Sequence, residues 1–75
     1  MEINKTVNYI GLKCPLPVLK ARRELNHLKT GQILEIIADD PAASLDFAHF
    51  CEISDNELLV SKKNKDNLKI LIKKK

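Results

Sequence analysis

With 75 residues, 44% of them apolar, the chain holds enough material for one small domain, spanning residues 1–75, and too little for a second. It has no tryptophan, two phenylalanines and one tyrosine, so its core must be built mainly from Ile, Leu, Val and Ala. The formal charge of +3 is modest, and no apolar run approaches the roughly 20 residues of a membrane span. Met1-Glu2-Ile3-Asn4-Lys5 lacks the charged-then-apolar order of a secretory leader, so the expectation is a cytoplasmic protein with no membrane partner.

Ile3, Lys5, Val7 and Tyr9 alternate with Asn4, Thr6 and Asn8, which predicts a first strand. Gly11-Leu12-Lys13-Cys14-Pro15-Leu16-Pro17 then turns strand into helix. Pro15 has a helical φ and no N–H, so it suits the first helical position. It also pushes the preceding residue out of the α region, which makes Cys14 the N-cap. Pro17 is then the third helical residue, among the first four whose N–H groups have no intrahelical partner. The helix is expected from Pro15 to Lys29, with Val18, Ala21, Leu25 and Leu28 turned inward and Leu19 widening the stripe. Lys20, Arg22 and Arg23 fall on or beside its outer face, and Gly31 is a natural stop.

Gln32 to Ala38 is a nearly continuous apolar run interrupted by Glu35, as expected of a strand inside a sheet. Asp39-Asp40-Pro41 repeats the helix-start pattern, with Asp40 as N-cap and Pro41 as first residue of a second helix ending near Cys51. Leu45, Ala48 and either Phe47 or Cys51 should face inward. Glu57 to Lys62 and Leu68 to Lys73 read as two strands joined by the turn-rich Lys63-Asn64-Lys65-Asp66-Asn67.

Strand, helix, strand, helix, strand, strand is the resulting order. A right-handed parallel first crossover puts both helices on one face of the sheet. The fold class is therefore α/β: a two-layer sandwich with a four-stranded mixed sheet. Cys14 emerges at the carboxyl end of the first strand, where open α/β sheets place their chemistry.

Free N–H groups at Leu16 and Val18, the positive end of the helix dipole and the charge of Lys13 all favour a thiolate at Cys14, the reactive form of cysteine. The plainer alternative is a small buried cysteine at a helix start. The two cysteines fit neither a disulfide-dense scaffold nor a zinc-site spacing, and no CxxC pair exists. Sulfur or redox chemistry would run through one cysteine at a time, with a partner protein. There is no phosphate loop and no metal pattern, so no metal or cofactor is expected. His27 and His49 read as surface residues. Asp39 and Asp40 offer acid/base or ligand chemistry, but a helix cap accounts for Asp40. Lys62, Lys63, Lys65, Lys69, Lys73, Lys74 and Lys75 crowd the C-terminal segment. They either guard an edge strand or face an acidic partner. No aromatic or arginine alternates with them, which speaks against direct nucleic-acid binding.

Gly11-Leu12-Lys13-Cys14-Pro15-Leu16-Pro17-Val18 resembles the GLxCPxPV signature of the TusA-like (SirA/YedF) sulfur-carrier family. The likeness continues through Ile37-Ala38-Asp39-Asp40-Pro41-Ala42, Asp46, Phe50-Cys51 and Glu57-Leu58, and is strongest to the TusA branch. Leu16 departs from it, since TusA proteins often carry an acid there, and so does Asp55-Asn56, where many relatives have Gly-His. The resemblance implies the sandwich derived above, similar to the C-terminal domain of translation initiation factor three. It implies a sulfurtransferase in which Cys14 accepts sulfane sulfur as a persulfide from a cysteine desulfurase. Cys14 would pass the sulfur to a DsrE-like sulfurtransferase, for 2-thiouridine synthesis in tRNA. Gly11, Pro15 and Pro17 would shape the site; Lys13, Lys20, Arg22 and Arg23 would dock partners near Cys14. Cys51 is expected in the core, at the far end of a monomeric domain. The alternative from another class is a non-catalytic regulatory or RNA-binding module using the lysine-rich C-terminal hairpin.

Overall fold

Two strands rich in isoleucine and leucine make the middle of a sheet, and the computed structural model shows what they bring together. It describes residues 2–75; Met1, part of the N-terminal stretch considered above, lies outside them. The elements are β1 (Lys5–Asn8), α1 (Leu16–Asn26), β2 (Ile33–Ala38), α2 (Ala43–Ser54), β3 (Glu57–Lys63) and β4 (Leu68–Lys73). The sheet order is β1-β2-β4-β3. β1 runs parallel to β2, while β4 is antiparallel to both β2 and β3. This is the mixed four-stranded sheet expected from the element order.

Register explains the single core. Leu34, Ile36 and Ala38 of β2 lie opposite Ile72, Ile70 and Leu68 of β4, so one face of the central pair is wholly apolar. Ala21 and Leu25 of α1 and Ala43, Phe47, Phe50 and Cys51 of α2 pack on that face, which puts both helices in one layer. Phe47, Leu25, Leu34, Ile36, Ile70 and Ile72 are fully buried. Each side chain of this kind stabilises the fold by about 1.5–3 kcal/mol. On the open face Lys69 pairs with Glu35 at 3.2 Å. Lys5 of β1 reaches Glu24 of α1 at 2.8 Å and ties the short edge strand to the helix layer.

Several local expectations are corrected. α1 ends at Asn26 with His27 as its C-cap, so Gly31 does not stop it. Gly31 (φ +88°) instead turns the chain into β2, and its N–H bonds the Lys74 carbonyl at 2.8 Å. α2 starts at Ala43 with Ala42 in the cap position, two residues later than the proline pattern suggested. The Asp40 carboxylate accepts the Ala42 N–H at 2.9 Å and so supports the turn before the helix rather than capping it. Leu45 is 74% exposed, while Phe47 is fully buried. Residues two apart on a helix do not share a face, and burying the larger ring removes more apolar area from water. Leu19 is likewise 52% exposed and stands beside the buried stripe of α1, outside the core.

Candidate functional site

The loop between β1 and α1 is built on a glycine. Gly11 has φ +89°, the left-handed region that costs an L-residue roughly 1–2 kcal/mol. Its N–H donates to Asp39 Oδ1 at 2.9 Å, and the N–H of Leu12 closes a turn onto the Tyr9 carbonyl at 3.1 Å. The N–H of Cys14 donates to Asp40 Oδ2. Adjacent acids at the end of β2 therefore hold the loop at two points, and Cys14 is left exposed.

Cys14 is not the N-cap. The Leu16 N–H bonds the Lys13 carbonyl at 2.9 Å, forming a turn that keeps Cys14 one residue further from the helix. Pro15 occupies the cap position and accepts the Leu19 N–H at 3.1 Å; the peptide joining Cys14 to Pro15 is cis. Pro17 becomes the second helical residue, where its missing N–H is still harmless. Its ring is fully buried and anchors the start of α1 to the core.

β1 and β2 are parallel and each leads into a helix on the same face, so the two helices begin side by side at the carboxyl end of that strand pair. Between them runs a groove of about 560 Å³ with Cys14 in its wall. Val18, Leu19 and Arg22 of α1 form one side; Asp46, His49, Phe50 and Ile53 of α2 form the other. Leu19 and Ile53 leave large apolar surfaces open to solvent here.

The electrostatics at Cys14 oppose the expected thiolate. Its thiol pKa is raised, first by a hydrogen bond to the Asp46 carboxylate, then by desolvation, then by the negative charges of Asp46 and Asp40. A hydrogen bond in which the thiol donates favours the protonated form. Two carboxylates distant in sequence thus face the position where the helix start alone would have favoured an anion. Asp40 is shifted the other way: bonds from the Ala42 and Cys14 N–H groups and the charge of Lys13 hold its carboxyl below the usual range.

Cys51 is buried in the core, and burial pushes its thiol up to about 11. No group of His, Cys, Asp and Glu among the described residues is arranged to hold a metal ion. Of the basic residues singled out from sequence, Arg22 lines the groove with Cys14. Lys13 lines a smaller cleft with Gly11, Asp39 and Asp40. Lys20 and Arg23 are exposed on α1 and contribute to neither. His49 is exposed, as expected, but sits in the groove wall. Asp46 and Ile53 were missed as site residues. The available signal for Asp46 was topological: an acid in the first turn of α2 must lie near the start of α1 once the two strands are parallel.

Comparison with known proteins agrees with this architecture. The crystal structure of a SirA-like protein from Desulfitobacterium hafniense superposes with a TM-score of 0.81 at 20% sequence identity, over 92% of this chain and 95% of that one. At that identity the match establishes the fold. The model of the family described as Sulfurtransferase TusA matches residues 5–74, nearly the full length of the chain. The chain therefore belongs to the TusA sulfurtransferase family.

Proposed function

We propose that this protein is a sulfur carrier in which Cys14 accepts sulfane sulfur from the persulfide of a cysteine desulfurase and hands it to a DsrE-like sulfurtransferase. The observation that carries this reading is the contrast between the two cysteines: Cys14 is exposed beside an apolar groove, whereas Cys51 is sealed in the core. A carrier needs one accessible sulfur and no second thiol that would discharge the persulfide within the same molecule.

In the transfer, Cys14 Sγ bonds to the terminal sulfur of the donor persulfide while the donor's S–S bond breaks. The donor cysteine leaves as a thiolate and takes up the proton that Cys14 gives up. One thiol and one persulfide become one persulfide and one thiol, so no external oxidant or reductant is needed. The groove is where a partner's apolar side chains would rest against Leu19 and Ile53, with Arg22 beside them. Thiolation of tRNA to 2-thiouridine is the proposed destination of the sulfur, on the strength of the family resemblance.

Less supports an RNA-binding role for the C-terminal hairpin. Lys69 is paired with Glu35 and Lys75 with Asp55. The three aromatic side chains, Tyr9, Phe47 and Phe50, are all buried, which leaves no stacking platform for bases.

The test is intact-mass analysis after incubation with a cysteine desulfurase and cysteine. A gain of one sulfur atom that reductant removes, absent from Cys14→Ser, is the expected result. Failure to gain sulfur from any of several desulfurases, in folded protein with a free thiol, would overturn the proposal.

A further inference from the structure

β3 lies at one edge of the sheet and pairs only with β4, so its outer N–H and C=O groups face no other strand among the described residues. Such an edge is a template for a further strand. The charges along it are laid out unevenly. Glu57 stands at the amino end, Lys62 and Lys63 stand at the carboxyl end, and half-buried Leu58, Leu59 and Val60 lie between. Glu57, Lys62 and Lys63 are exposed, and none of them enters an ion pair among the described residues.

We propose that β3 is the pairing surface for a second copy of this chain, the two β3 strands running antiparallel about a two-fold axis close to Val60. The proposal is independent of the sulfur chemistry. A strand with an acid at one end and lysines at the other complements its own copy only when that copy runs the opposite way. Glu57 of each copy then meets Lys62 or Lys63 of the other, on both sides of the axis, and the apolar residues meet in the middle. A parallel copy would set acid against acid and lysine against lysine, which destabilises a strand pair. The lysines that guard the edge against most strands therefore also select the one it accepts. Two-fold pairing uses the same patch on both copies, so assembly through β3 stops at two. At the register shift between Leu58 and Val60, Leu59 has no β4 partner. A bulge there bends the strand and shortens its regular stretch, so the expected dimer is a weak one. β1, whose carboxyl end leads into the Cys14 loop, is at the opposite edge of the sheet. Pairing through β3 thus keeps both thiols away from the interface.

The experiment is sedimentation equilibrium from low micromolar to millimolar protein, in reductant so that no Cys14 disulfide contributes. Wild type is compared with Glu57→Lys, with Lys62→Glu and Lys63→Glu together, and with the triple variant carrying all three changes; circular dichroism checks each fold. The expected result is a wild-type monomer–dimer equilibrium that weakens as salt is added. Glu57→Lys and the double lysine reversal should each weaken it by about tenfold, because like charges then oppose each other at both ends. The triple variant should recover most of the wild-type association, since its ends again set acid against lysine. A general effect of net charge would not give that recovery. A wild type that stays monomeric to millimolar concentration would overturn the proposal and leave the bulge and lysines as edge protection; this needs no variant to fold. Unchanged association in folded Glu57→Lys, or no recovery in the folded triple variant, would overturn it as well, placing any dimer contact elsewhere.

Discussion

Asp40 and Cys14 are 26 residues apart in the chain, yet the carboxylate of Asp40 accepts the backbone N–H of Cys14. The same carboxylate accepts the N–H of Ala42 at 2.9 Å. One side chain thus ties the loop that presents the thiol to the turn that opens α2. Asp39 repeats the device on Gly11 at 2.9 Å. The position of Cys14 is therefore set from β2 as much as from its own helix.

Replacing Asp40 with Ala should loosen that loop. Faster amide exchange at Cys14 and Ala42 and a lower melting temperature are expected at pH 7. The pH dependence has a definite sign. The Asp40 carboxyl is held below its ordinary value of 3.8 in the folded chain, so its contribution is complete above that pH. It is lost as the pH falls through the lowered native value. The gap in melting temperature between wild type and Asp40→Ala should close on acidification; a gap that stays constant from neutral to strongly acidic pH would contradict the assignment.

The two thiols should differ sharply in reactivity. A disulfide reagent such as dithionitrobenzoate should titrate Cys14 in the native protein and reach Cys51 only after denaturation. Cys51 has a native pKa of about 11 against an ordinary 9.0. The unfolded chain therefore releases this proton first, and stability should fall as the pH rises from 9 toward 11. Cys51→Ala should flatten that alkaline decline in a series of thermal melts.

Phe47→Ala removes the largest fully buried side chain and should cost about 3–5 kcal/mol. Small domains often have only 5–15 kcal/mol in total, so extensive unfolding at 37 °C is expected by circular dichroism. Leu45→Ala, on the same helix but exposed, should stay within about 0.5 kcal/mol of wild type. Equal losses from the two substitutions would show the inward face of α2 to be wrong.

Leu19→Ser and Ile53→Ser test the groove as a contact surface. Both side chains are largely exposed, so melting temperatures should barely change. If a partner buries them, each substitution should slow sulfur uptake from the desulfurase by roughly tenfold at limiting donor. Uptake at the wild-type rate in both would remove the groove from the transfer step.

Local patterns were enough to read the order of elements and the single core. Leu68, Ile70 and Ile72 alternate as a strand must, Ala21 and Leu25 recur at helical spacing, and the β2 run is apolar throughout. Cys14 could be singled out for the same reason, because Gly11, Pro15 and Pro17 mark a strand-to-helix turn by covalent and steric rules that act between neighbours. What the sequence by itself determined is therefore the set of elements, their order and the place of Cys14 at the turn from the first strand into the first helix.

Only the tertiary structure decided the state and surroundings of that cysteine. Its neighbours in the chain, Lys13 and the helix start, favour a thiolate, while Asp46 and Asp40, brought up by the parallel pairing of β1 and β2, push its pKa upward. It also decided that Phe47 rather than Leu45 enters the core, and that Leu19 and Ile53 stand open along one groove. The physical reason is common to all of these. Charge interactions and apolar burial depend on distance through space, and the contacts concerned join segments that are far apart along the chain.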